Sequence, residues 1–304
     1  MTQAQTAEAF RLYFLSLAAL VLAVLIFTGG FASARFYMEA GGGPQDVVTL
    51  RHGISGLLFL PFVVWIWERL REHPGLWRAI GLALCGGVPF GACVFTGIGG
   101  APFSHGGAIV PGVAVLYGTL LAHYWLGEAI GLQRVAGMLV TLIGLGLLVG
   151  PEWNAPGVTW WGELAYLGAG FLWATFTVAL RAFKASAIEG AAMASVFSLP
   201  YLIVYAFLDP QIRHIPFETT LIHGLYQGVG FSGIAVMMYA WAVGRLGAAS
   251  AVAAMPLMPF FATLMEWGFF DRQPSTLAWA ALAVMAIGIG LAATAGRAST
   301  EKSV

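Results

Sequence analysis

Long apolar runs separated by short polar turns make up most of this chain. Residues 106–149 illustrate the pattern, because two apolar runs flank a short turn that carries Glu128 and Arg134. Each run has about 20 residues, and at about 1.5 Å per residue a helix of that length crosses a hydrocarbon core of about 30 Å. The pattern therefore predicts a transmembrane hairpin.

The same pattern recurs along the chain and predicts ten transmembrane helices. The first half holds helices at about residues 12–34, 47–67, 77–98, 103–125 and 132–150, and the second half at about residues 159–180, 189–208, 219–243, 248–269 and 275–295. Residues 1–150 then form a first five-helix repeat, the Pro- and Gly-rich residues 151–158 a linker, and residues 159–304 a second five-helix repeat with a short cytoplasmic tail. The predicted fold class is an all-α membrane protein.

The two halves of the chain match each other. A shift of about 145 positions places Pro111 on Pro256, and residues 143–146 on residues 287–290, as expected for an internal duplication. Because five crossings is an odd number, the second copy enters the membrane from the opposite face. The ten helices are therefore expected to form two inverted five-helix repeats, an architecture typical of secondary transporters.

Composition supports a membrane protein. Charged residues make up 9% of the chain and hydrophobic residues 59%, whereas about 25% of the residues in a soluble domain are charged. Net charge is zero, which argues against a nucleic-acid partner. Cys85 and Cys93 lie about two helical turns apart on one predicted helix, too far apart for a disulfide, and are expected to be apolar packing residues.

The positive residues predict an orientation. Ten of the 14 Lys and Arg residues fall on the face that holds both termini, and four fall at or near the other face. Because positive loops stay on the cytoplasmic side, both termini are expected in the cytoplasm of a bacterial-type inner membrane. The first run ends in Ala32-Ser33-Ala34, which resembles a signal-peptidase site. That run is longer than a signal-peptide core and has a repeat partner in mid-chain, so a retained helix is predicted.

The closing hairpin resembles a known family. Pro111, an apolar run, Leu126-Gly127-Glu128, and the glycines Gly137 and Gly144 follow the pattern of the EamA-type branch of the drug/metabolite transporter superfamily. The second copy departs from that pattern, with Phe270-Asp271-Arg272 in place of Leu-Gly-Glu, which favours a structural role for Glu128. The resemblance implies a carrier without a cofactor or catalytic residues, in which helices 1, 3 and 4 and their partners 6, 8 and 9 surround a central cavity.

Glycine and proline interrupt matching helices in the two halves, at residues 86–91 and 227–231. Paired interruptions of this kind indicate a transporter's substrate site, because a broken turn exposes backbone groups to the substrate. Alternating access is then expected through rocking about Pro89, Pro111 and Pro256. The side chains predicted to bind substrate around these breaks are Phe27, Thr28, Phe90, Phe95, Tyr117, Trp173, Thr177, Tyr226, Gln227 and Tyr239.

No ionisable group is predicted near the midplane of the membrane. Arg51 and Glu266 are placed near the face opposite the termini, where they pair with each other or face water. His52, His105 and His223 are placed near the same face as interfacial rings with a hydrogen-bonded nitrogen. Two mechanisms remain open: facilitated diffusion, or proton coupling through His105, His223 and Glu266.

A cavity of rings and amides without a fixed charge suits an amphipathic solute and disfavours acidic or polybasic ones. Because the family includes amino-acid exporters, the resemblance favours export of amino acids, aromatic ones included; a multidrug, sugar or nucleoside carrier is the alternative. A membrane-embedded metal enzyme would require His52, His105 and His223 to converge. The expected partners are a small-molecule substrate and the lipid bilayer, and no oligomeric state is predicted.

Overall fold

The computed structural model describes residues 3–72, 75–152, 155–208, 210–246, 254 and 257–300, and within these ranges the side chains of residues 10–292. All regular secondary structure in the described part of the chain is helical. The first half contains α1 (Gln3–Glu39), α2 (Pro44–Trp65), α3 in two pieces (Gly75–Gly86 and Val88–Gly100), α4 (Phe103–Leu126) and α5 (Leu132–Val149). A short helix, Trp67–Arg71, follows α2, and a 3₁₀ turn, Gly150–Glu152, follows α5.

The second half repeats this order. It contains α6 (Trp160–Phe183), α7 in two pieces (Ala187–Val196 and Tyr201–Ala206), a 3₁₀ turn (Gln211–His214), α8 (Phe217–Leu246), α9 (Leu257–Phe270) and α10 (Thr276–Thr300). Eight of these segments are long and apolar enough to cross a membrane, and α9 and α10 are shorter apolar helices in the described part. The predicted all-α membrane fold is confirmed.

Helices α3 and α8 are irregular where the glycines cluster. Helix α3 is interrupted at Gly87, whose φ of −94° and ψ of −135° are not helical, and Pro89 follows in the first turn of the second piece. In α8, residues Tyr226–Ala235 form a π-helix. Wide turns of this kind are rare and are frequently found at functional sites. The glycines in α8 let this helix approach α2 closely, since a Cβ at Gly228 would lie 3.2 Å from the Ser55 backbone nitrogen.

Helix α7 corrects a prediction. The sequence pattern predicted a continuous helix at about residues 189–208, but turns replace the helix at residues 197–200. The second piece begins directly after Pro200, which has no N–H to donate to the preceding turn.

Helices α5 and α10 show how the two halves are related. A Cβ built on Gly144 would lie 3.0 Å from the Ala281 carbonyl oxygen, and one built on Gly288 would lie 2.9 Å from the Gly137 carbonyl oxygen. Gly144 and Gly288 are repeat partners, and so are Gly137 and Ala281. The two contacts are therefore equivalent under a local pseudo-two-fold axis, which is the symmetry expected of inverted repeats.

Many of the helix contacts join one half to the other. Helix α1 packs against α8 and α9, while its repeat partner α6 packs against α3 and α4. The repeat partners α2 and α7 also touch, as do α4 and α9. The largest apolar cluster among the described residues joins several of these helices and includes Phe31 of α1, Phe95 of α3 and Tyr166 of α6. The free cysteines Cys85 and Cys93 lie on α3, one in each piece.

Helix α4 is packed more tightly at one end than at the other. We call the end opposite Gln3 and Thr300 the far face. In α4, residues 103–113, at the far face, are all buried, whereas only Thr119 and Ala122 are buried among residues 114–126. Around α4, the far-face half of the bundle is therefore the more closed half.

Candidate functional site

Arg51 is the central feature of the far-face half. It lies seven residues into α2, about 10 Å along the helix, and is only 3% exposed. Its Nε and Nη2 atoms donate hydrogen bonds of 3.0 and 2.6 Å to Oε1 of Gln227 in the π-helix of α8. The Gln227 amide nitrogen donates a 2.7 Å bond to the Gly30 carbonyl oxygen of α1. One chain of hydrogen bonds thus joins α2, α8 and α1.

Aromatic rings enclose the guanidinium group. Its central carbon lies 3.8 Å from the ring centroid of Phe231 and 4.6 Å from that of Phe95. Cations bind ring faces at such distances, and more strongly where water is excluded. Gly30 makes room for this arrangement, because a Cβ there would stand 2.6 Å from a Phe231 ring carbon and 3.6 Å from Nη2 of Arg51.

The charge of Arg51 has no counter-ion among the described residues. A guanidinium carries five N–H donors, and within the described part of the chain the only acceptor is Oε1 of Gln227. Burial of a cation is costly unless it is paired, so ionisable groups at membrane depth usually mark functional sites. Arg51 is thus a positively charged group that keeps donors available for a ligand.

One prediction about Arg51 is wrong. The sequence analysis allowed Arg51 and Glu266 to pair with each other or to face water, but Arg51 is buried and the two do not meet. Helix α2 instead turns Arg51 toward α1, α3 and α8, while Glu266 on α9 accepts hydrogen bonds from the backbone N–H groups of Phe103 and Ser104 at 3.2 Å each.

His52 lies next to Arg51 and also differs from the prediction. It is buried, and neither ring nitrogen has a hydrogen-bond partner within the described ranges. It faces α3, because a Cβ at Gly91 would lie 3.1 Å from Nε2 of His52. The expected interfacial ring with a bonded nitrogen is wrong at this position, since α2 packs this side of its helix against α3.

The residues predicted to bind substrate fall into two groups. The first lies on the side of Arg51 and consists of Phe95 and Gln227, which contact it, and of Phe27, Tyr226 and Tyr239 farther out. Phe27 lies 5.0 Å from Phe231 and 6.2 Å from Tyr239 between ring centroids, and the Tyr226 hydroxyl donates a 3.1 Å bond to the Ile26 carbonyl oxygen. Their place beside an unpaired cation supports the prediction, which remains untested.

The second group lies between α3, α4 and α6. Trp173 is half-buried, with its ring 5.3 Å from Phe90 and 5.4 Å from Phe176, and Tyr117 packs 4.7 Å from Phe171. Phe95 of the first group and Phe90, Tyr117 and Trp173 of the second belong to the same apolar core. The hydroxyls of Thr28 and Thr177 donate to carbonyl oxygens of their own helices, Val24 at 2.8 Å and Ala174 at 2.9 Å.

The three predicted hinge prolines have different surroundings. Pro89 adjoins the Gly87 break, whereas Pro111 is buried within α4, which continues through it. Pro256 lies outside the described residues. Hinge motion at these positions stays a prediction.

A cluster of charged groups occupies the far face. Nδ1 of His105 on α4 lies 2.6 Å from Oε1 of Glu163 on α6, and Nε2 lies 3.4 Å from Oε2 of Glu152 after α5. Glu152 also binds Arg272 at 2.7 Å. The sequence analysis named His105 and Glu266 but missed both partner carboxylates, although an acidic residue three positions into the apolar run of α6 was a visible signal.

The remaining histidines do not form a metal site. His223 contacts Ser33 Oγ at 2.9 Å, and no group of three His, Cys, Asp or Glu side chains that could hold a metal ion occurs in the described part of the chain. An apolar cavity of about 270 Å³ lies where the breaks of α3 and α7 meet, lined by Val88, Pro89, Phe197 and Ser198 among others. The exposed Leu84 at its edge places it at the surface of the bundle rather than at its centre.

In the described part of the chain, ten apolar helices, with a buried cation beside two irregular ones, fit a multi-pass membrane protein of the carrier class. The sequence matches the EamA-like transporter family over residues 14–150 and again over residues 160–294. The chain belongs to this family, and it is a membrane carrier of small molecules. Each half carries one copy of the family's domain.

Comparison with solved structures agrees with this fold. Seventeen chains of solved structures match this chain. One of them, a crystal structure of a protein, is 21% identical, covers 96% of this chain and 98% of its own, and has a TM-score of 0.62. At that identity the likeness concerns the fold alone. None of the curated proteins matches this chain.

Proposed function

We propose that this carrier moves small amphipathic metabolites that bear a carboxylate beside an apolar body, with amino acids, aromatic ones included, as the leading class. The observation that carries the proposal is Arg51, which is buried between two rings and bound only to an uncharged amide among the described residues. The sequence analysis disfavoured acidic substrates because it placed no fixed charge at this depth. Arg51 supplies that charge.

The chemistry of the site fits such a solute. A guanidinium binds a carboxylate through two parallel N–H bonds, which fixes both the position and the orientation of the ligand. Phe27, Phe95 and Phe231 supply apolar faces beside the charge, against which a flat side chain stacks. An uncharged sugar or nucleoside would leave the cation unpaired, so the site favours an anionic or zwitterionic group.

Transport by alternating access, in the direction of export, completes the proposal. The closed far face and the looser packing of α4 beyond residue 113 support a state that is open toward the terminal face. In that state a solute would reach Arg51 from the terminal face and would leave after the far face opens. The breaks of α3 and α8 lie beside the site, where rocking of one group of helices against the other would be accommodated.

The test uses proteoliposomes that contain only the purified protein and four labelled solutes. Phenylalanine carries both a carboxylate and an amine, 3-phenylpropionate only the carboxylate, and phenethylamine only the amine, while uridine carries neither. We expect transport of the first two and none of phenethylamine or uridine. Transport of phenethylamine or uridine at the rate of phenylalanine would overturn the carboxylate proposal and favour a multidrug or nucleoside carrier.

Variants then assign the effect to Arg51. Removing one partner of a buried charge interaction costs at least about 2 kcal/mol, so Arg51→Gln should weaken phenylalanine binding by about 30-fold or more. Arg51→Lys keeps the charge but cannot form two parallel N–H bonds to a carboxylate. Its affinity for phenylalanine should therefore lie between those of the wild type and Arg51→Gln. Arg213→Gln, at an exposed position on the far face, is the matched control and should behave as the wild type. Equal binding by Arg51→Gln and the control would exclude Arg51 as the binding group.

A further inference from the structure

The cluster around His105 has a property that the substrate site does not explain. His105 is 1% exposed, yet both of its ring nitrogens face carboxylate oxygens, Glu163 at 2.6 Å and Glu152 at 3.4 Å. An ionised carboxylate only accepts hydrogen bonds, and a neutral imidazole has only one N–H to donate. Only the protonated ring, with two N–H groups, satisfies both neighbours.

The charges that face His105 favour a bound proton. Glu163 on α6, Glu152 after α5 and Glu266 on α9 are acidic, and Arg272 between α9 and α10 is the basic partner. Tyr166 on α6 adds a buried hydroxyl without a partner in the described residues, as does Thr263 on α9. Oε2 of Glu163 is likewise buried and unpaired within the described part. With a neutral ring, three carboxylates surround one cation, and a proton reduces that imbalance.

Solvent has a short path to this cluster. A cavity with room for about one water molecule is lined by His105, Glu152, Glu266 and Arg272. Glu152 and Arg272 are 30% and 36% exposed on the far face. A proton can therefore pass between far-face water and His105 through the carboxylate of Glu152.

The same contacts hold the far face closed. His105 joins α4 to α6 through Glu163, and it joins α4 to the turn between α9 and α10 through Glu152 and Arg272. Beside them, the Phe103 and Phe270 rings pack 5.5 Å apart, which brings the start of α4 against the end of α9. Loss of one proton removes the donor that faces Glu152 or the donor that faces Glu163.

We infer that His105, Glu163 and Glu152 form a proton-binding site that holds the far face closed while the proton is bound. The closed state binds the proton more tightly than the open state, so acid on the far face stabilises closure and loss of the proton favours opening. This goes beyond the proposed substrate and does not depend on it. By linkage, one such proton changes the ratio of open to closed molecules by up to about tenfold per pH unit.

The experiment measures distances between spin labels without any substrate. Labels are attached at Trp160→Cys, at the start of α6, and Glu218→Cys, at the start of α8, in a chain with Cys85→Ala and Cys93→Ala. Both labelled positions are exposed on the far face. Distance distributions are recorded between about pH 5 and pH 9, a range that brackets the usual titration of histidine. The short distance should dominate at low pH, and a longer one should grow as pH rises.

His105→Asn tests the assignment, because its amide can still donate toward Glu163 but cannot take up a proton. Its distances should not change with pH and should match those of the wild type at high pH. His214→Asn, exposed on the same face, should follow the wild type. If His105→Asn does not fold, Glu152→Gln takes its place and should weaken the pH dependence. The inference would be overturned if the wild-type distances did not change with pH, or if the distances in His105→Asn changed with pH as those of the wild type do.

Discussion

Gln227 accepts both hydrogen bonds that Arg51 donates to it, across 176 residues of chain. The amide orients the guanidinium but does not neutralise it, because the amide carries no charge. A carboxylate at the same place would form a closed ion pair. The choice of an amide therefore leaves a fixed positive charge for a ligand, at a depth where an unpaired charge is costly to maintain.

Gln227→Glu should separate stability from function. The new carboxylate neutralises Arg51 through charged hydrogen bonds, but it loses the bond that the amide donates to the Gly30 carbonyl oxygen, so the free energy of unfolding should change by no more than about 1 kcal/mol. Binding of phenylalanine should fall by about 30-fold or more, because the substrate carboxylate loses its partner. Thermal unfolding in detergent and equilibrium binding measure the two effects. Unchanged binding of phenylalanine by Gln227→Glu would show that Arg51 does not bind the substrate.

The contact between α5 and α10 predicts a symmetric pair of effects. Gly144→Ala would bring a Cβ within 2.8 Å of the Met285 backbone nitrogen, and Gly288→Ala within 2.5 Å of the Thr141 backbone nitrogen. Backbone atoms cannot yield as side chains do, so each variant should lose about 1 to 3 kcal/mol of stability.

Gly146→Ala and Gly290→Ala are the matched controls for this contact, because a Cβ at either position meets no atom within 4 Å. Their unfolding temperatures should stay within about 2 °C of the wild type, as expected of positions away from a packed contact. A loss of stability in Gly144→Ala without a loss of stability in Gly288→Ala would contradict the pseudo-symmetry of the contact.

Glu266→Gln should weaken the start of α4. The carboxylate accepts the N–H groups of Phe103 and Ser104, and a negative charge at a helix N-terminus adds stability through the helix dipole. Its removal should cost about 1 kcal/mol and should speed amide hydrogen exchange in the peptide that contains residues 103–105. Glu218→Gln, exposed at the start of α8, serves as the control and should leave hydrogen exchange at residues 103–105 unchanged. Unchanged exchange at residues 103–105 would mean that these hydrogen bonds add nothing to the closed face.

Glu128→Gln should have little effect on transport. Its carboxylate binds Arg181 of the second half and lies 3.6 Å from Arg134, at partly exposed positions on the terminal face. Ion pairs in such positions contribute up to about 1 kcal/mol and weaken with salt. Unfolding temperature should therefore drop slightly in low salt and match the wild type in high salt. A large loss of transport would contradict the structural role predicted for this residue.

The fold was largely predictable from the sequence, and the site was predictable only in part. The Gly86–Gly91 and Gln227–Phe231 segments could be recognised as irregular because glycine and proline act locally on the backbone. Gln227 stood out because an amide at membrane depth needs a partner. That its partner is Arg51 could not be predicted, because distance from the helix end indicates depth but not the direction in which the side chain points.

The sequence by itself determined the class of this protein: an all-α membrane carrier with two related halves. The length of an apolar run and the period of a repeat are properties of the chain alone. Only the tertiary structure decided which side chains meet, such as His105 with Glu163, 58 residues apart, or Arg51 with Gln227. A helix that is apolar on every side carries no periodic signal for the face it buries, so its rotation against its neighbours is set by packing between helices.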